Sequence, residues 1–248
     1  MSSHRKRRID QRLVEDGLAP SRAQAADLVR RGCITAAGAV VSKPGATVPD
    51  DVPLALASGT KAFVSRGALK LIAGLEAFGL SPKECVALDA GPSTGGFAEA
   101  LLAEGDIKVY AIDVGTRQLH ERLRSDPRVI YLETTDSRTI DKSLVPDAVA
   151  AITADVSFIS LTRALPAALA RAAPGAWLIA LVKPQFEAGR EAVGRGGLVR
   201  DEQDRERAIA RVRDFLEASR WRILDVIVSL ITVGSGNVEY LIGARHEA

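Results

Sequence analysis

Cysteine, histidine and long apolar runs are scarce in this chain. Its 248 residues include two cysteines and three histidines. Cys33 and Cys85 lie far apart and form no metal or disulfide pattern. They read as small buried side chains in a reducing compartment. The histidines make no ligand cluster, which argues against metal catalysis. Nothing near the start has the apolar core of a signal peptide, and no run is long enough to span a bilayer. A cytoplasmic protein with no stable membrane association is therefore expected. Net charge is also small, +2.

The hydrophobic fraction of 47% and charged fraction of 26% suit an ordered chain with an ordinary core. The length allows one large or two modest domains. Charge is unevenly placed: residues 1–62 hold ten Lys and Arg against six Asp and Glu, and the remainder holds 23 against 25. The excess begins in Arg5-Lys6-Arg7-Arg8, a run that polyanions attract through counterion release. Residues 1–8 read as a basic tail.

A small module follows over residues 9–57. Ile9 to Gly17 has helical spacing with a glycine stop. Ser21-Arg22-Ala23-Gln24 fits a capping box, opening a second helix that ends at Gly32. Cys33–Thr35 and Ala39–Val41 suggest a hairpin, and Val48 with Leu54–Leu56 supplies more strand. Arg22, Arg30 and Arg31 lie on or beside the second helix; with Arg7, Arg8, Arg12 and Lys43 they would form a basic surface for phosphates. Residues 58–64 read as a linker.

From residue 65 to 248 the pattern alternates in the βαβ manner. Ser65 caps a helix to about Phe78. Strands are predicted over 85–89, 109–113, 128–132, 148–155, 176–183, 221–230 and 239–243, with helices over 97–103, 161–173 and 202–219. A short glycine-rich segment joins the last two strands, which fits a methyltransferase-type sheet with a reversed final strand. Gly189–Gly197, with Arg190 and Arg195, reads either as a loop closing over RNA or as a connection.

Between the first strand and its helix lies Asp89-Ala-Gly91-Pro-Ser93-Thr94-Gly95-Gly96-Phe97. Glycines let the backbone approach a ligand, and a helix N-terminus favours polar or anionic groups. Asp113, ending the next strand, is placed to accept hydrogen bonds from ribose hydroxyls. Nicotinamide and S-adenosylmethionine binders share these features. A dehydrogenase also needs its own acid or base, commonly a Tyr-x-x-x-Lys helix or a His–Asp pair, and neither is visible.

Four polar residues point to the chemistry. Asp155 and Lys183 end the fourth and fifth strands, Glu239 opens the last, and Lys70 lies in the run before the first. Ligands bind outside the carboxyl ends of the strands in such sheets, so these charges should meet around one pocket. Two lysines with two carboxylates suit proton removal from an alcohol.

The leading module resembles the S4 RNA-binding domain. The resemblance rests on Arg8-Ile9-Asp10 with Leu13, Ser21-Arg22-Ala23 with Leu28-Val29, and Arg31-Gly32-Cys33-Ile34-Thr35. The remainder resembles the FtsJ-type ribose methyltransferases, and the whole chain resembles the TlyA family, which joins the two. Carrying this are Ser65-Arg-Gly-Ala-Leu-Lys70, Asp89 to Phe97, Ile112-Asp-Val-Gly115, Asp155-Val-Ser-Phe-Ile-Ser160, Val182-Lys-Pro-Gln-Phe-Glu-Ala-Gly189 and Gly236-Asn-Val-Glu-Tyr-Leu241. The resemblance implies a seven-stranded Rossmann-like sheet, S-adenosylmethionine as cofactor, and methylation of a ribosomal RNA 2′-hydroxyl, typically of a cytidine. It implies catalysis by Lys70, Asp155, Lys183 and Glu239. Lys183 is then expected to be the base, since burial and a neighbouring lysine favour a neutral amine. Asp89, Gly91, Ser93 to Phe97, Asp113, Val114, Asp136 and Asp155 would hold the cofactor. Arg5, Lys6 and Arg66 join the RNA-binding set. The partner would be ribosomal RNA or a ribosomal subunit, with a monomer as the expectation.

Three positions depart from the family pattern. Ala68 replaces a glycine before Lys70, Pro92 replaces an alanine in the loop, and Gly115-Thr-Arg-Gln118 replaces Gly-His-Gly-Gln. None removes a catalytic charge. A catalytically silent RNA-binding or assembly factor, a membrane-active haemolysin and a nicotinamide oxidoreductase are the rival readings.

Overall fold

The computed structural model describes residues 5–19, 21–30, 32–57, 63–105, 107–229 and 236–247. The chain divides into two compact units, Met1–Val64 and Ser65–Ala248. The expected linker residues 58–62, Arg31, and most of the glycine-rich segment before Glu239 lie outside the described residues.

The first unit contains β1 (Lys6–Arg8), α1 (Ile9–Glu15), α2 (Arg22–Arg30), β2 (Ile34–Ala36), β3 (Ala39–Val41), β4 (Thr47–Pro49) and β5 (Leu54–Leu56). Ile9, Leu13, Ala25, Val29 and Ile34 are fully buried and form its core. The hairpin turns through Ala37 and Gly38, both at positive φ (49° and 80°), the two-residue turn that matches strand twist. β2 pairs with both β3 and β5. The predicted capping box is half formed: Ser21 Oγ accepts from Gln24 N at 3.3 Å, while the Gln24 amide donates to the Val64 carbonyl.

The basic tail requires correction. Lys6–Arg8 is a strand paired antiparallel with Thr47–Pro49. Its arginines are held by carboxylates, Arg7 by Asp50 (2.6 Å) and Glu15, and Arg8 by Asp10 (2.9 Å). A cationic run can therefore join a sheet edge, because its backbone is paired and its charges are met.

The second unit contains α3 (Gly67–Phe78), β6 (Val86–Ala90), α4 (Gly96–Ala103), β7 (Lys108–Ile112), α5 (Glu121–Arg124), β8 (Val129–Leu132), β9 (Val149–Ala154), α6 (Leu161–Ala164), α7 (Pro166–Leu169), β10 (Ala172–Val182), α8 (Pro184–Glu187), α9 (Glu202–Ala218), β11 (Trp221–Val228) and β12 (Tyr240–His246). They form one seven-stranded sheet in the order β11-β12-β10-β9-β6-β7-β8. β12 runs antiparallel to both its neighbours, and β10, β9, β6, β7 and β8 are parallel. The reversed last strand is thus present.

Leu88, Ile152, Leu178 and Ile242 are fully buried on four adjacent strands. Each contributes about 2 kcal/mol of transfer free energy. α9 starts at Asp201, whose side chain accepts from Asp204 N at 3.2 Å, and it buries Ala208, Val212 and Leu216 at a four-residue spacing. The single helix expected over 161–173 is instead two short ones. Pro166, lacking an N–H, opens a new turn, and β10 has already begun at Ala172.

This topology gathers the candidate residues. The register pairs Ala90 with Ala154, Ala154 with Ala180, and Val182 with Tyr240. Asp155, Lys183 and Glu239 each lie one residue beyond these pairs, so all three stand at the same end of the sheet. β12 delivers Glu239 there because it runs the other way.

Candidate active site

The glycine loop is shaped by two close approaches. Gly91 has φ +79°, and a Cβ there would lie 3.1 Å from the Asp155 carbonyl. At Gly96 a Cβ would lie 2.1 Å from Ser65 Oγ and 2.9 Å from Ala68 N, so α4 meets the start of α3 with no room for a side chain. Ala68 itself is fully buried at this crossing. Pro92 accepts through its carbonyl from Gly95 N at 2.7 Å and so forms part of the turn, which uses no donor from residue 92.

Asp113 ties this loop to the next. Its two oxygens accept from Ser93 N (2.9 Å) and Gly115 N (2.8 Å). Each oxygen keeps a lone pair for a further donor. Asp89 is fully buried behind the loop, accepts from Thr153 Oγ1 at 2.8 Å, and its other oxygen has no partner among the described residues. Burial pushes its carboxyl up to about 7, with the Asp155 and Asp113 charges adding to the rise and the Thr153 hydroxyl and the Ala98 backbone N–H opposing it. Asp89 therefore supports the loop from behind.

Two cavities open here. The larger, of about 450 Å³, is lined by Gly91, Ser93, Asp113, Val114, Asp136 and Asp155 among others. Val114 is 69% exposed, presenting an apolar surface beside the Asp113 carboxylate. Asp136 is held by Arg138, whose hydrogen bonds keep the carboxyl below its usual range. The smaller cavity, of about 220 Å³, is lined by Lys70, Gly91, Ser93, Thr94, Gly96, Phe97 and Asp155. Gly91, Ser93 and Asp155 line both.

The four charges form two ion pairs at this junction. Lys70 Nζ lies 2.5 Å from Glu239 Oε2, and both side chains are almost fully buried. Lys183 Nζ lies 2.6 Å from Asp155 Oδ1 and donates to Ser157 Oγ at 2.9 Å. Lys70 and Asp155 line the same cavity, so the pairs belong to one site. Each lysine thus has its own carboxylate.

Residues 63–246 match the FtsJ-like methyltransferase family and residues 7–51 match the S4 domain. The chain belongs to the FtsJ-like methyltransferase family. A curated relative from Mycobacterium tuberculosis, the 16S/23S rRNA (cytidine-2′-O)-methyltransferase TlyA, is 43% identical over 97% of this chain and 90% of its own length. Hemolysin A of Brachyspira hyodysenteriae is 36% identical over 94% of this chain and 98% of its own. A solved structure from Streptococcus thermophilus that carries a hemolysin name has a TM-score of 0.73 at 36% identity, covering 99% of this chain and 90% of that one. Among the described residues of the present chain, no helix is long and apolar enough to cross a membrane.

Within the S4 domain the candidate RNA-binding residues fall into three groups. Arg5, Lys6, Arg30 and Lys43 are exposed. Arg7, Arg8 and Arg22 are committed to acidic partners, the last two sharing Asp10. Arg12 needs correction as a surface cation. It is 5% exposed and donates to the carbonyls of Pro49 (2.8 Å) and Val52 (3.0 Å), tying α1 to the segment around β4. Arg66 belongs to the FtsJ-like domain, where it lines the smaller cavity.

Three site residues were missed from sequence although they lie inside the quoted motifs. Ser157 holds Lys183. Phe158 is 92% exposed at φ +66° and lines the larger cavity, with its ring 5.4 Å from that of Phe186. Glu187 is buried and accepts from Ser160 Oγ (2.5 Å) and Leu161 N (2.8 Å), clamping the segment after β9 to the segment after β10. An aromatic after Asp-Val-Ser reads as core by composition, and its exposure is a property of the fold alone.

Proposed function

We propose that this protein transfers a methyl group from S-adenosylmethionine to the 2′-hydroxyl of a cytidine in ribosomal RNA. In this reading the S4 domain docks structured RNA, and the protein works as a monomer in the cytoplasm. The observation that carries it is the pairing of Lys183 with Asp155 and of Lys70 with Glu239 where the two cavities join.

The residues present fit the cofactor. The glycine cradle leaves no room for side chains at Gly91 and Gly96, the Asp113 carboxylate has free lone pairs, and Val114 gives an apolar face. Ser93, Asp113, Val114 and Asp136 would hold its nucleoside part, and Gly91, Thr94, Gly96 and Phe97 the remainder. When bound, S-adenosylmethionine supplies an electrophilic methyl group.

The chain's own residues handle the proton and the alignment. Lys183 Nζ is fixed between Asp155 and Ser157; it first passes its own proton to the Asp155 carboxylate, and the neutral amine then takes the proton from the ribose hydroxyl. Lys70, steadied by Glu239, orients the ribose. Phe158 offers its ring to the base of the target nucleotide. Most of the rate should then come from holding the reactants in line. The name carried by the Mycobacterium tuberculosis relative supports this substrate class.

The test is incubation with tritiated S-adenosylmethionine and ribosomal subunits. Label should enter ribosomal RNA at a position resistant to alkaline cleavage. Binding of both reactants without label would favour the silent RNA-binding factor instead.

A further inference from the structure

Beside the proposed catalytic centre runs a second groove, of about 630 Å³, that no role yet claims. Its size falls in the range that takes a small ligand. It adjoins the larger cavity, since Phe158 and Ile159 line both. Three arginines line it from separate elements: Arg163 from α6, Arg211 from α9, and Arg190 from the turn after α8. Among the described residues no carboxylate lines it, although the Glu191 carboxylate lies against Gly189 at its rim. The nearest acid on α8, Glu187, is buried and engaged by Ser160 and Leu161.

One of these cations, Arg211, acts internally on Glu187, and the other two are exposed. Arg163 and Arg190 have no ion-pair partner among the described residues. Arg211 donates one hydrogen bond to the Glu187 carbonyl (3.0 Å), which leaves its other N–H groups available. Gln185 lines the groove, and its buried Oε1 has no hydrogen-bond partner among the described residues. Phe186 adds an aromatic wall at 51° to Phe158. The bordering loop is anchored: Asn237, 6% exposed, accepts from Val199 N (3.0 Å) and donates to Gly197 O (2.8 Å).

Phosphate suits guanidinium forks, and an unstacked base suits an aromatic wall. We propose that this groove holds the nucleotide adjoining the methylated one in the RNA strand, its phosphate on Arg163 and Arg190 and its base against Phe186. The inference rests on the RNA-methylating reading above and names a second subsite for that substrate.

The test compares two double variants of the full chain, each changing net charge equally. One is Arg163→Glu with Arg190→Glu. The control is Lys83→Glu with Arg213→Glu, the first ahead of β6 at the opposite end of its strand, the second on α9. Binding of purified ribosomal RNA is measured by filter retention across a salt series, and S-adenosylmethionine binding by calorimetry.

The groove variant should bind RNA on the order of tenfold more weakly, with the log–log salt slope reduced by about 0.7 for one lost single-strand phosphate. The control should shift by less than about twofold. Cofactor binding should be unchanged in both, and KM for RNA should rise in the groove variant with kcat kept. If charge reversal impairs folding, the Arg163→Ala/Arg190→Ala pair should weaken RNA binding in the same direction by about threefold. Equal weakening in groove variant and control, or none in either, overturns the proposal. RNA affinity tests the groove whether or not methyl transfer occurs, and transfer by the unsubstituted protein tests the reaction itself.

Discussion

Lys183 and Glu239 differ in what their removal leaves behind. Without Glu239, Lys70 would remain buried and unpaired, a situation that costs about 3–5 kcal/mol of folding stability. Loss of activity in Glu239→Ala would therefore report folding first. Without Lys183, the Asp155 side chain stays 27% exposed and can be hydrated, so Lys183→Ala is the cleaner probe of chemistry. Asp89 makes a different prediction at this scale. Unfolded, its carboxyl ionises near the ordinary value of about 4. Folded, burial holds the proton up to about 7. Between those values the native state binds more protons than the unfolded state, so this group's contribution to stability falls as pH rises from about 4 through about 7 and is level above. Asp89→Asn keeps the shape without titrating. Its melting temperature relative to the parent should therefore climb across that window and then plateau, as followed by calorimetry. A difference constant with pH would contradict the assignment.

Among elements, the crossing of α3 and α4 matters most, because it sets both the glycine loop and Lys70. A Gly96→Ala methyl would meet Ser65 Oγ and the Ala68 backbone at distances no packed Cβ tolerates. Overpacking of this kind costs about 1–3 kcal/mol. Chemical denaturation should register that loss, and calorimetry a parallel loss of cofactor affinity; a variant as stable as the parent would mean that the helices can part freely. The strand pattern was legible because parallel strands buried on both faces leave continuous apolar runs, such as residues 109–112 and 149–152. Breaks in pattern were less legible. Pro166 divides a stretch that is apolar throughout, so periodicity alone gave one helix. Lys6–Arg8 looked like a tail because a strand held by cross-chain carboxylates has no apolar alternation to read. The four catalytic candidates were visible as residues, and their ends of the strands followed from the pattern. Which lysine meets which carboxylate depends on side-chain packing across elements up to 169 residues apart, which no local pattern encodes.

At the scale of the whole molecule, sequence charge and structural charge tell different stories. The leading 62 residues carry the positive excess, yet Arg7, Arg8, Arg12 and Arg22 are occupied within the S4 domain. In the proposed reading, RNA attraction rests on the exposed Arg5, Lys6, Arg30 and Lys43 in that unit, together with the groove arginines of the FtsJ-like domain. Neither set performs chemistry, and the two lysine–carboxylate pairs have no way to select an RNA alone. The account therefore predicts one outcome that needs all of these parts. Ribosomal RNA is isolated from cells lacking this chain and from the same cells complemented with the parent or with Lys183→Ala, and 2′-O-methyl groups are mapped by resistance to alkaline cleavage. At least one cytidine should be methylated with the parent and unmethylated both in the deletion and with Lys183→Ala. Methylation restored in full by Lys183→Ala, or no position restored by the parent, would contradict it.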